Sequence, residues 1–510
     1  MSAEISIDSP SRRPRIKLWP LGSLPLSMSI LWAANAGGEA LRWLVLGGFA
    51  SVMMFCLLVS LEAGMIAMMI FEPLRGFLRR AQYLYLTYSQ SDPIHIITPI
   101  VTLLAFVMIL QRHRLRLLYQ STLAGWVSLL AAIYFLQIFN PLQGGLSVGF
   151  SGAMFVLIPL LWFYFAQVIK PEFMLTAFRV IVVLGILTSL YGLYQLAFGF
   201  PAFEQYWIDN TDFYNSISVG KVERALATFS SAEEWGRYVE IGALIAFGFA
   251  AQAMNRMRRA GWIVVGGTLS LMLLFTGQRT AMFGLILGFL VLVLMGARSW
   301  RAAMARMFML LAPALLIGVL AKAPTNDDML DHGDDERAKA LLSHTARGTL
   351  NPTKEDSLNE RFKNWTFLAT DVIPYRPLGL GVGATSIGAW RYGAGDNDLP
   401  PIDSYFISSV LTCGVPTVLL LIWILAKATA ISWRSYKSAE PGSPEARLWR
   451  IAATIMPVLI LNNMFGNTFT LYSVAPFGWL LVGWISTWGL ARKTDEAGTL
   501  ELGERELIVI

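Results

Sequence analysis

Charge is scarce in this chain, and cysteine and histidine are scarcer. Only 15% of its 510 residues are charged, whereas ordinary soluble domains carry roughly a quarter. The two cysteines, Cys56 and Cys413, and the four histidines lack metal-ligand spacing, and no disulfide framework is readable. A phosphate-binding Walker loop and a Gly-x-Ser-x-Gly nucleophile motif are also missing. These absences argue against a zinc site, a P-loop nucleotide site and a hydrolase built on that motif.

Apolar residues make up 55% of the chain, more than a soluble core of this size can bury. The 17 tryptophans suit rings that anchor helices at a membrane interface. The net charge of +6 is modest for this length and follows from where Lys and Arg sit, so we predict no nucleic-acid binding. The composition therefore predicts a protein embedded in a lipid bilayer.

About twelve apolar stretches approach the roughly 20 residues that a helix needs to cross the hydrocarbon core. We predict an all-α polytopic membrane protein with spans near 43–66, 94–111, 120–139, 150–168, 177–198, 238–255, 261–276, 280–296, 303–321, 404–426, 449–467 and 474–490. The stretch 43–72 is long for one crossing and fits either one tilted helix or a short hairpin. Inside the spans Glu62 and Glu240 are nearly the only ionisable residues, which weakens the case for a proton-coupled transporter.

The distribution of Lys and Arg predicts the orientation in the membrane. Four basic clusters fall on one face, which we expect to be cytoplasmic together with both termini: 112–116, 256–259, 298–306 and 427–447. The loops 199–237 and 322–403 on the opposite face carry more Asp and Glu than Lys and Arg. Three arginines conflict with this scheme, since the predicted spans place Arg75, Arg79 and Arg80 on the extracytoplasmic face. Either residues 73–90 form an interfacial helix there, or the first spans are misread.

One long polar insertion divides the membrane region. We predict a cytoplasmic N-terminal tail (1–42), nine spans (43–321), an extracytoplasmic loop domain (322–403), three spans (404–490) and a cytoplasmic tail (491–510). The basic N-terminus lacks a small-residue cleavage site after a clean apolar core, so the first span should act as an uncleaved anchor. Inside the loop, His332 and His344 are expected to be solvated, and 358–373 has a helical pattern that places on one side Phe362, Trp365, Phe367 and Leu368.

Three arginines on the outer face are candidates for binding an anion. Arg279 sits in a tight turn between two apolar spans, where a cation is costly and functional by default. Arg224 and Arg237 bracket the mouth of the sixth span, and a guanidinium binds phosphate with two parallel hydrogen bonds. Alternatively, Arg279 snorkels to phospholipid headgroups. For Arg224 and Arg237 the separate alternative is a pair of salt bridges with Glu223, Glu233 or Glu234.

The loop domain supplies a second group of candidates. Arg361 lies in its predicted helix, and a glycine run follows at Gly379, Gly381 and Gly383. The glycines fit either a substrate-shaping turn or a tightly packed structural turn. Asp403 precedes the tenth span and fits two compatible roles, a helix N-cap and a carboxylate that accepts a proton or orients an acceptor sugar.

These residues, in this order, resemble the O-antigen ligase and polysaccharide polymerase superfamily (Wzy/WaaL type) over about residues 40–490. Its arginine followed by a small-Thr-Phe step is similar to the segment from Arg224 to Phe229, and its Thr-x-Ser-Arg turn is similar to 276–279. Its loop pattern of Arg, Trp and Pro-x-Gly-x-Gly-x-Gly resembles Arg361, Trp365, Pro377, Gly379, Gly381 and Gly383. Its closing pattern before an apolar span resembles 402–405, including Tyr405, and Gly414.

The resemblance implies a GT-C-like helical fold in the bacterial inner membrane, with the active site facing the periplasm. It implies metal-independent, cofactor-free glycosyl transfer from an undecaprenyl diphosphate donor. The catalytic residues would be Arg279, Arg224 and Asp403, and the substrate-binding residues would be Arg237, Arg361, Trp365, Gly379, Gly381, Gly383 and Tyr405. A polysaccharide copolymerase is a candidate partner.

One departure from the family pattern bears on the branch. Ligases of the family carry a histidine where this chain has Ile402 or Asp403. The aspartate resembles the exopolysaccharide polymerase branch, so we predict polymerisation of lipid-linked repeat units. The alternatives are a ligase that transfers glycan to lipid A core or protein, a polysaccharide transporter or flippase, and a non-catalytic assembly component.

Overall fold

Helices form nearly all the regular structure of this protein. The computed structural model describes residues 22–33, 39–89, 92–211, 218–219, 222–296, 356–386, 399–400 and 402–489. The helices are α1 (Leu24–Ala33), α2 (Ala40–Val59), α3 (Leu61–Ala81), α4 (Ile97–His113), α5 (Ala124–Gln137), α6 (Leu146–Leu160), α7 (Trp162–Phe165), α8 (Phe173–Phe198), α9 (Ala202–Asn210), α10 (Ala232–Gln252), α11 (Arg256–Phe275), α12 (Arg279–Gly296), α13 (Asp356–Phe367), α14 (Tyr405–Cys413), α15 (Val415–Ser438), α16 (Pro444–Met464) and α17 (Ala475–Trp488). Two short strands, β1 (Ser218–Val219) and β2 (Val222–Glu223), pair in antiparallel fashion.

The helices have the length and composition of membrane spans. Six helical segments of the described residues are long and apolar enough to cross a membrane: Ala40–Val59, Pro93–Leu118, Leu146–Phe165, Phe173–Phe198, Arg256–Phe275 and Val415–Ser438. Shorter apolar helices accompany them at Leu24–Ala33, Ala124–Gln137 and Arg279–Met295. The prediction of an all-α membrane protein is therefore confirmed. The count of twelve stays a prediction, and the predicted span at 303–321 lies outside the described residues.

The first predicted span, 43–66, is replaced by two helices that form a hairpin. Ser60 has an extended backbone (φ −161°, ψ 156°) that ends α2, and its side chain caps α3 by accepting a hydrogen bond from Ala63 N. The helices pack closely at the turn, where a Cβ on Gly64 would lie 2.9 Å from the Leu57 backbone. The break needs only one residue in an extended conformation and no polar stretch between the helices. A prediction from hydropathy alone therefore assigns both helices to one span.

The hairpin also places the three arginines that conflicted with the charge rule. Arg75, Arg79 and Arg80 belong to the last turns of α3 and are 6%, 8% and 1% exposed. They form buried contacts with other segments of the chain, and an interfacial helix over 73–90 stays a prediction. The chain before residue 43, expected to be a tail, already contains α1, which packs against α2 through Ser29 and Gly47.

The long polar loop contributes one described helical segment. Helix α13 continues into a π-helical turn (Leu368–Val372) and a 3₁₀ turn (Ile373–Tyr375), so the predicted helix is confirmed. Two of its aromatic residues, Phe362 and Phe367, are 52% and 44% exposed. Trp365 packs inward on Phe465, with ring centroids 6.0 Å apart. His332 and His344, which we predicted to be solvated, lie outside the described residues.

Candidate functional site

The site is built around the first turn of α10. Ser231 caps this helix by accepting a hydrogen bond from Glu234 N, and Glu233 and Glu234 fill the first turn. The segment before the cap is held by Arg80, which pairs with Glu204 at 2.7 Å and donates a hydrogen bond of 2.6 Å to Ala227 O. These contacts fix the backbone on which the candidate arginines are arranged.

Arg224 lies beside the turn that carries Arg279. Gly277 adopts a left-handed φ of 69°, and a Cβ there would lie 3.8 Å from Arg224 Nε, so the turn that carries Arg279 packs against Arg224. Burial, followed by the charge of Arg279, lowers the pKa of Arg224 to about 10, and Glu233 opposes the shift. The buried Nε of Arg224 has no hydrogen-bond partner among the described residues. Because the charge of Arg279 acts on Arg224, an anion near both guanidinium groups would be favoured.

Arg237 is held by buried ion pairs, and its predicted contact with substrate stays a prediction. Its side chain is fully buried and lies 3.8 Å from the carboxylates of both Glu233 and Glu240. It donates hydrogen bonds to Asn462 Oδ1 and to Thr280 Oγ1. The salt-bridge alternative is therefore what the structure shows, and Arg237 joins α10, α12 and α16 next to the turn that carries Arg279.

Arg361 and Asp403 form an ion pair. Arg361 Nη2 lies 3.0 Å from Asp403 Oδ2, and Arg361 Nε donates a hydrogen bond to the same oxygen at 3.1 Å. The cap prediction for Asp403 is wrong, because Ser404 is the N-cap of α14 and accepts from Ile407 N. The Asp403 side chain, 51% exposed, is thus available for another function.

The two groups meet through the end of α16. Tyr405 N donates to Gly466 O at 3.0 Å, which places the residue after the Ser404 cap against this segment. A Cβ on Gly466 would lie 2.7 Å from Arg237 Nη2 and 2.8 Å from Glu233 Oε1. The structure therefore brings the Arg224–Arg279 pair and the Arg361–Asp403 pair to one end of the bundle, here called the site end.

The glycine run is a packed structural turn. Gly379, Gly381 and Gly383 are all buried. A Cβ on them would approach Thr412 O (2.4 Å), Gln143 Oε1 (2.6 Å) and Val148 O (2.1 Å), respectively. The first two also have φ of 87° and 110°, which suit glycine. The structure gives these glycines a packing role, and their predicted contact with substrate stays a prediction.

A cavity of about 1560 Å³ opens beside these groups. The polar part of its wall includes Arg75, Arg79, Glu234, Ser230 and Ser231. Its apolar part comes mainly from α4 and α6 and includes Ile100, Leu103, Phe150, Val156, Leu157 and Ile158. Ile402, Tyr405, Ser408 and Asn467 complete the wall near Asp403. The arginines that line this cavity are Arg75 and Arg79, whereas Arg224 and Arg279 are not among its lining residues.

Sequence reasoning gave Arg75 and Arg79 no role in the site. The sequence did contain one signal for them. They lie on the predicted outer face, where the Lys and Arg distribution of membrane proteins disfavours basic residues, and such an exception indicates a specific function or partner. Nearby, burial raises the pKa of Asp92, against the hydrogen bond from Ile94 N and the charges of Arg79 and Arg42.

Fold and site together define a polytopic helical membrane protein with a cluster of arginines and carboxylates at one end of the bundle. Residues 264–422 match the family model described as O-antigen ligase (Wzy_C). The predicted resemblance to the Wzy/WaaL superfamily is thereby confirmed, although the branch is not distinguished. The matched region includes Arg279, Arg361, Asp403 and the glycine run, whereas Arg224, Arg75 and Arg79 precede it. No curated protein matches the chain.

Proposed function

We propose that this protein is a glycosyltransferase of the bacterial inner membrane that polymerises oligosaccharide repeat units carried on undecaprenyl diphosphate. The Arg224–Arg279 pair is the observation that carries this proposal. A diphosphate leaving group gains negative charge as its bond to the sugar breaks. Two positioned guanidinium groups stabilise that charge, and loss of one such donor costs roughly 3–4 kcal/mol of barrier lowering.

The transfer exchanges one bond at the sugar for another. A hydroxyl oxygen of the acceptor glycan forms a bond to the anomeric carbon of the donor, while the bond from that carbon to the diphosphate oxygen breaks. The electron pair leaves with the diphosphate beside Arg224 and Arg279. The hydroxyl proton passes to the carboxylate of Asp403 and then to water. Guanidinium groups offset the developing charge in this scheme, so the transfer needs no metal ion or cofactor.

Arg361 orients the proposed base. Its fork holds one carboxylate oxygen of Asp403 at 3.0–3.1 Å and leaves Oδ1 for the acceptor. The site end would face the periplasm with both chain termini in the cytoplasm, as the Lys and Arg distribution favours. A lipid-linked donor reaches such a site from the outer leaflet, and a polysaccharide copolymerase is a candidate partner.

Purified protein incubated with lipid-linked repeat units alone tests the proposal. Polymerisation gives a ladder of longer lipid-linked chains, and the ladder should disappear in Arg279→Ala. Transfer to added lipid A core or protein, without lengthening, would overturn polymerisation in favour of ligation. Movement of intact substrate across a vesicle membrane without any new glycosidic bond would instead identify a transporter.

A further inference from the structure

A buried amide lies between two buried charges near the end of α16. Asn462, Arg237 and Glu240 are all fully buried. Asn462 Oδ1 accepts a hydrogen bond from Arg237 Nη1, and Asn462 Nδ2 donates one of 2.8 Å to Glu240 Oε2. Arg237 Nη1 itself lies 3.8 Å from Glu240 Oε2, which is longer than a hydrogen bond. The amide of Asn462 therefore joins the two charged groups and sets their positions.

The other nitrogen of the Arg237 guanidinium group reaches the turn that carries Arg279. Arg237 Nη2 donates a hydrogen bond of 2.7 Å to the hydroxyl of Thr280, which directly follows Arg279 in the first turn of α12. Helix α10 makes room for this turn at Gly236, where a Cβ would lie 3.0 Å from the Cβ of Gln278. Arg237 thus connects the buried amide to the start of α12.

An amide at position 462 does more than fill space. Arg237 also lies 3.8 Å from Glu233, so two carboxylates attract its guanidinium group. Without the carbonyl oxygen of Asn462, this group would turn toward Glu233 and Glu240 and away from Thr280. A leucine would fill a similar volume, but only a polar partner fixes the direction in which a guanidinium group donates.

We propose that Asn462 is a positioning residue, whose side-chain amide directs Arg237 toward Thr280 and so fixes the turn that carries Arg279. The inference rests on the proposed function only for the catalytic role of Arg279. The same turn packs against Arg224 at Gly277. A displacement of the turn would therefore change the position of Arg279 relative to Arg224, although Asn462 acts on both only through Arg237 and Thr280.

Amide hydrogen exchange of residues 276–282, measured by mass spectrometry on the full-length protein in nanodiscs, tests the proposal without using activity. Asn462→Leu should raise the exchange rate of this segment about tenfold, because the turn loses its fixed hydrogen bond. Thr280→Val should have the same effect, and the double variant should add nothing, since both residues act through one guanidinium group. Thr280→Ser keeps the hydroxyl and should exchange as the wild type does.

Asn463→Leu is the matched control, because it makes the same change one residue further along α16. The amide of Asn463 donates to Leu459 O and accepts from Phe469 N, so its bonds stay near α16. This variant should lower the unfolding temperature and leave the exchange of 276–282 unchanged. Unchanged exchange in Asn462→Leu, or equal acceleration in Asn463→Leu, would overturn the proposal. Asn462→Ser, whose side chain is too short to join both charges, carries the test if Asn462→Leu does not fold.

Chain lengthening with lipid-linked repeat units then tests the link to Arg279. Asn462→Leu and Thr280→Val should each lower kcat about tenfold or more per folded molecule, and Thr280→Ser should restore it, because catalysis depends on the exact position of a charged group. Faster exchange with wild-type kcat would overturn the positioning of Arg279. The expected exchange rates in a wild-type protein that lengthens no chains would instead overturn the proposed function and leave the role of Asn462 in the turn standing.

Discussion

Arg361 and Asp403 are 42 positions apart in the chain. The Nη2 and Nε atoms of Arg361 both lie 3.0–3.1 Å from the same carboxylate oxygen, Oδ2 of Asp403. The pair joins the loop helix α13 to the start of α14, and the Trp365–Phe465 contact reinforces the junction. An exposed ion pair contributes little to stability, at about 0–1 kcal/mol. We therefore propose that the pair serves to position the Asp403 carboxylate.

Asp403→Asn should leave the fold intact and abolish most turnover, because Ser404 rather than Asp403 caps α14. We expect a rate loss of roughly 10²-fold or more, as for removal of a general base. Chain lengthening and thermal unfolding in detergent measure the two effects. Asp371→Asn, an exposed carboxylate change in the same loop segment, is the matched control.

Arg361→Gln tests whether Asp403 acts as a base or only holds α13 in place through the ion pair. If Asp403 accepts the proton, Arg361→Gln should keep part of the activity and Asp403→Asn should keep almost none. The double variant would then match Asp403→Asn. Equal losses in both single variants and in the double variant would show that the ion pair matters only for docking α13.

Arg279→Lys should be as damaging as Arg279→Ala, since lysine lacks the planar fork that binds a diphosphate with two parallel hydrogen bonds. The expected fall in the transfer rate is roughly 10²–10³-fold. Arg376→Lys, at an exposed position, should be neutral. Near-normal transfer by Arg279→Lys would contradict the clamp.

Arg237→Gln should destabilise the protein far more than Arg224→Gln does. Arg237 is fully buried against Glu240, and removing one partner of such a pair costs about 3–5 kcal/mol. Thermal unfolding in detergent measures the difference. The double variant Arg237→Gln with Glu240→Gln should recover much of the loss, because no charge then stays unpaired. No recovery would point to the contacts with Asn462 and Thr280 instead.

Gly152→Ala should loosen the loop from the bundle, although alanine ordinarily favours a helix. A Cβ at this position would lie 2.4 Å from the Cα of Gly383, which belongs to the glycine run. We expect a loss of about 1–3 kcal/mol in unfolding free energy. Gly125→Ala in α5 is the matched control, since nothing lies within 4 Å of its Cβ, and it should be neutral or stabilising by up to about 1 kcal/mol.

Hydropathy predicted the helices of the described region well but not their interruptions. The predicted span 404–426 is divided at Gly414, whose φ of 86° separates α14 from α15. Such breaks, like the one at Ser60, depend on the backbone conformation of one residue inside an apolar run, which average hydropathy does not register.

The candidate site was predictable where residue type alone implied a function. A cation in a short turn between spans singled out Arg279, whose catalytic role stays a prediction, and the structure places Arg224 beside this turn. The burial of Arg237 was not predictable, because its partners Asn462 and Thr280 come from distant helices. The cap was misassigned since Asp403 and Ser404 are both good cap residues, and only their backbone angles decide between them.

Two main-chain hydrogen bonds connect the glycine run to the end of α14. They run from Leu380 N to Leu411 O and from Gly381 N to Thr412 O. Helix α14 also carries Tyr405 and Ser408 on the wall of the cavity. A single short helix therefore connects the polar loop to the cavity wall, so a displacement of the glycine run would be transmitted to that wall.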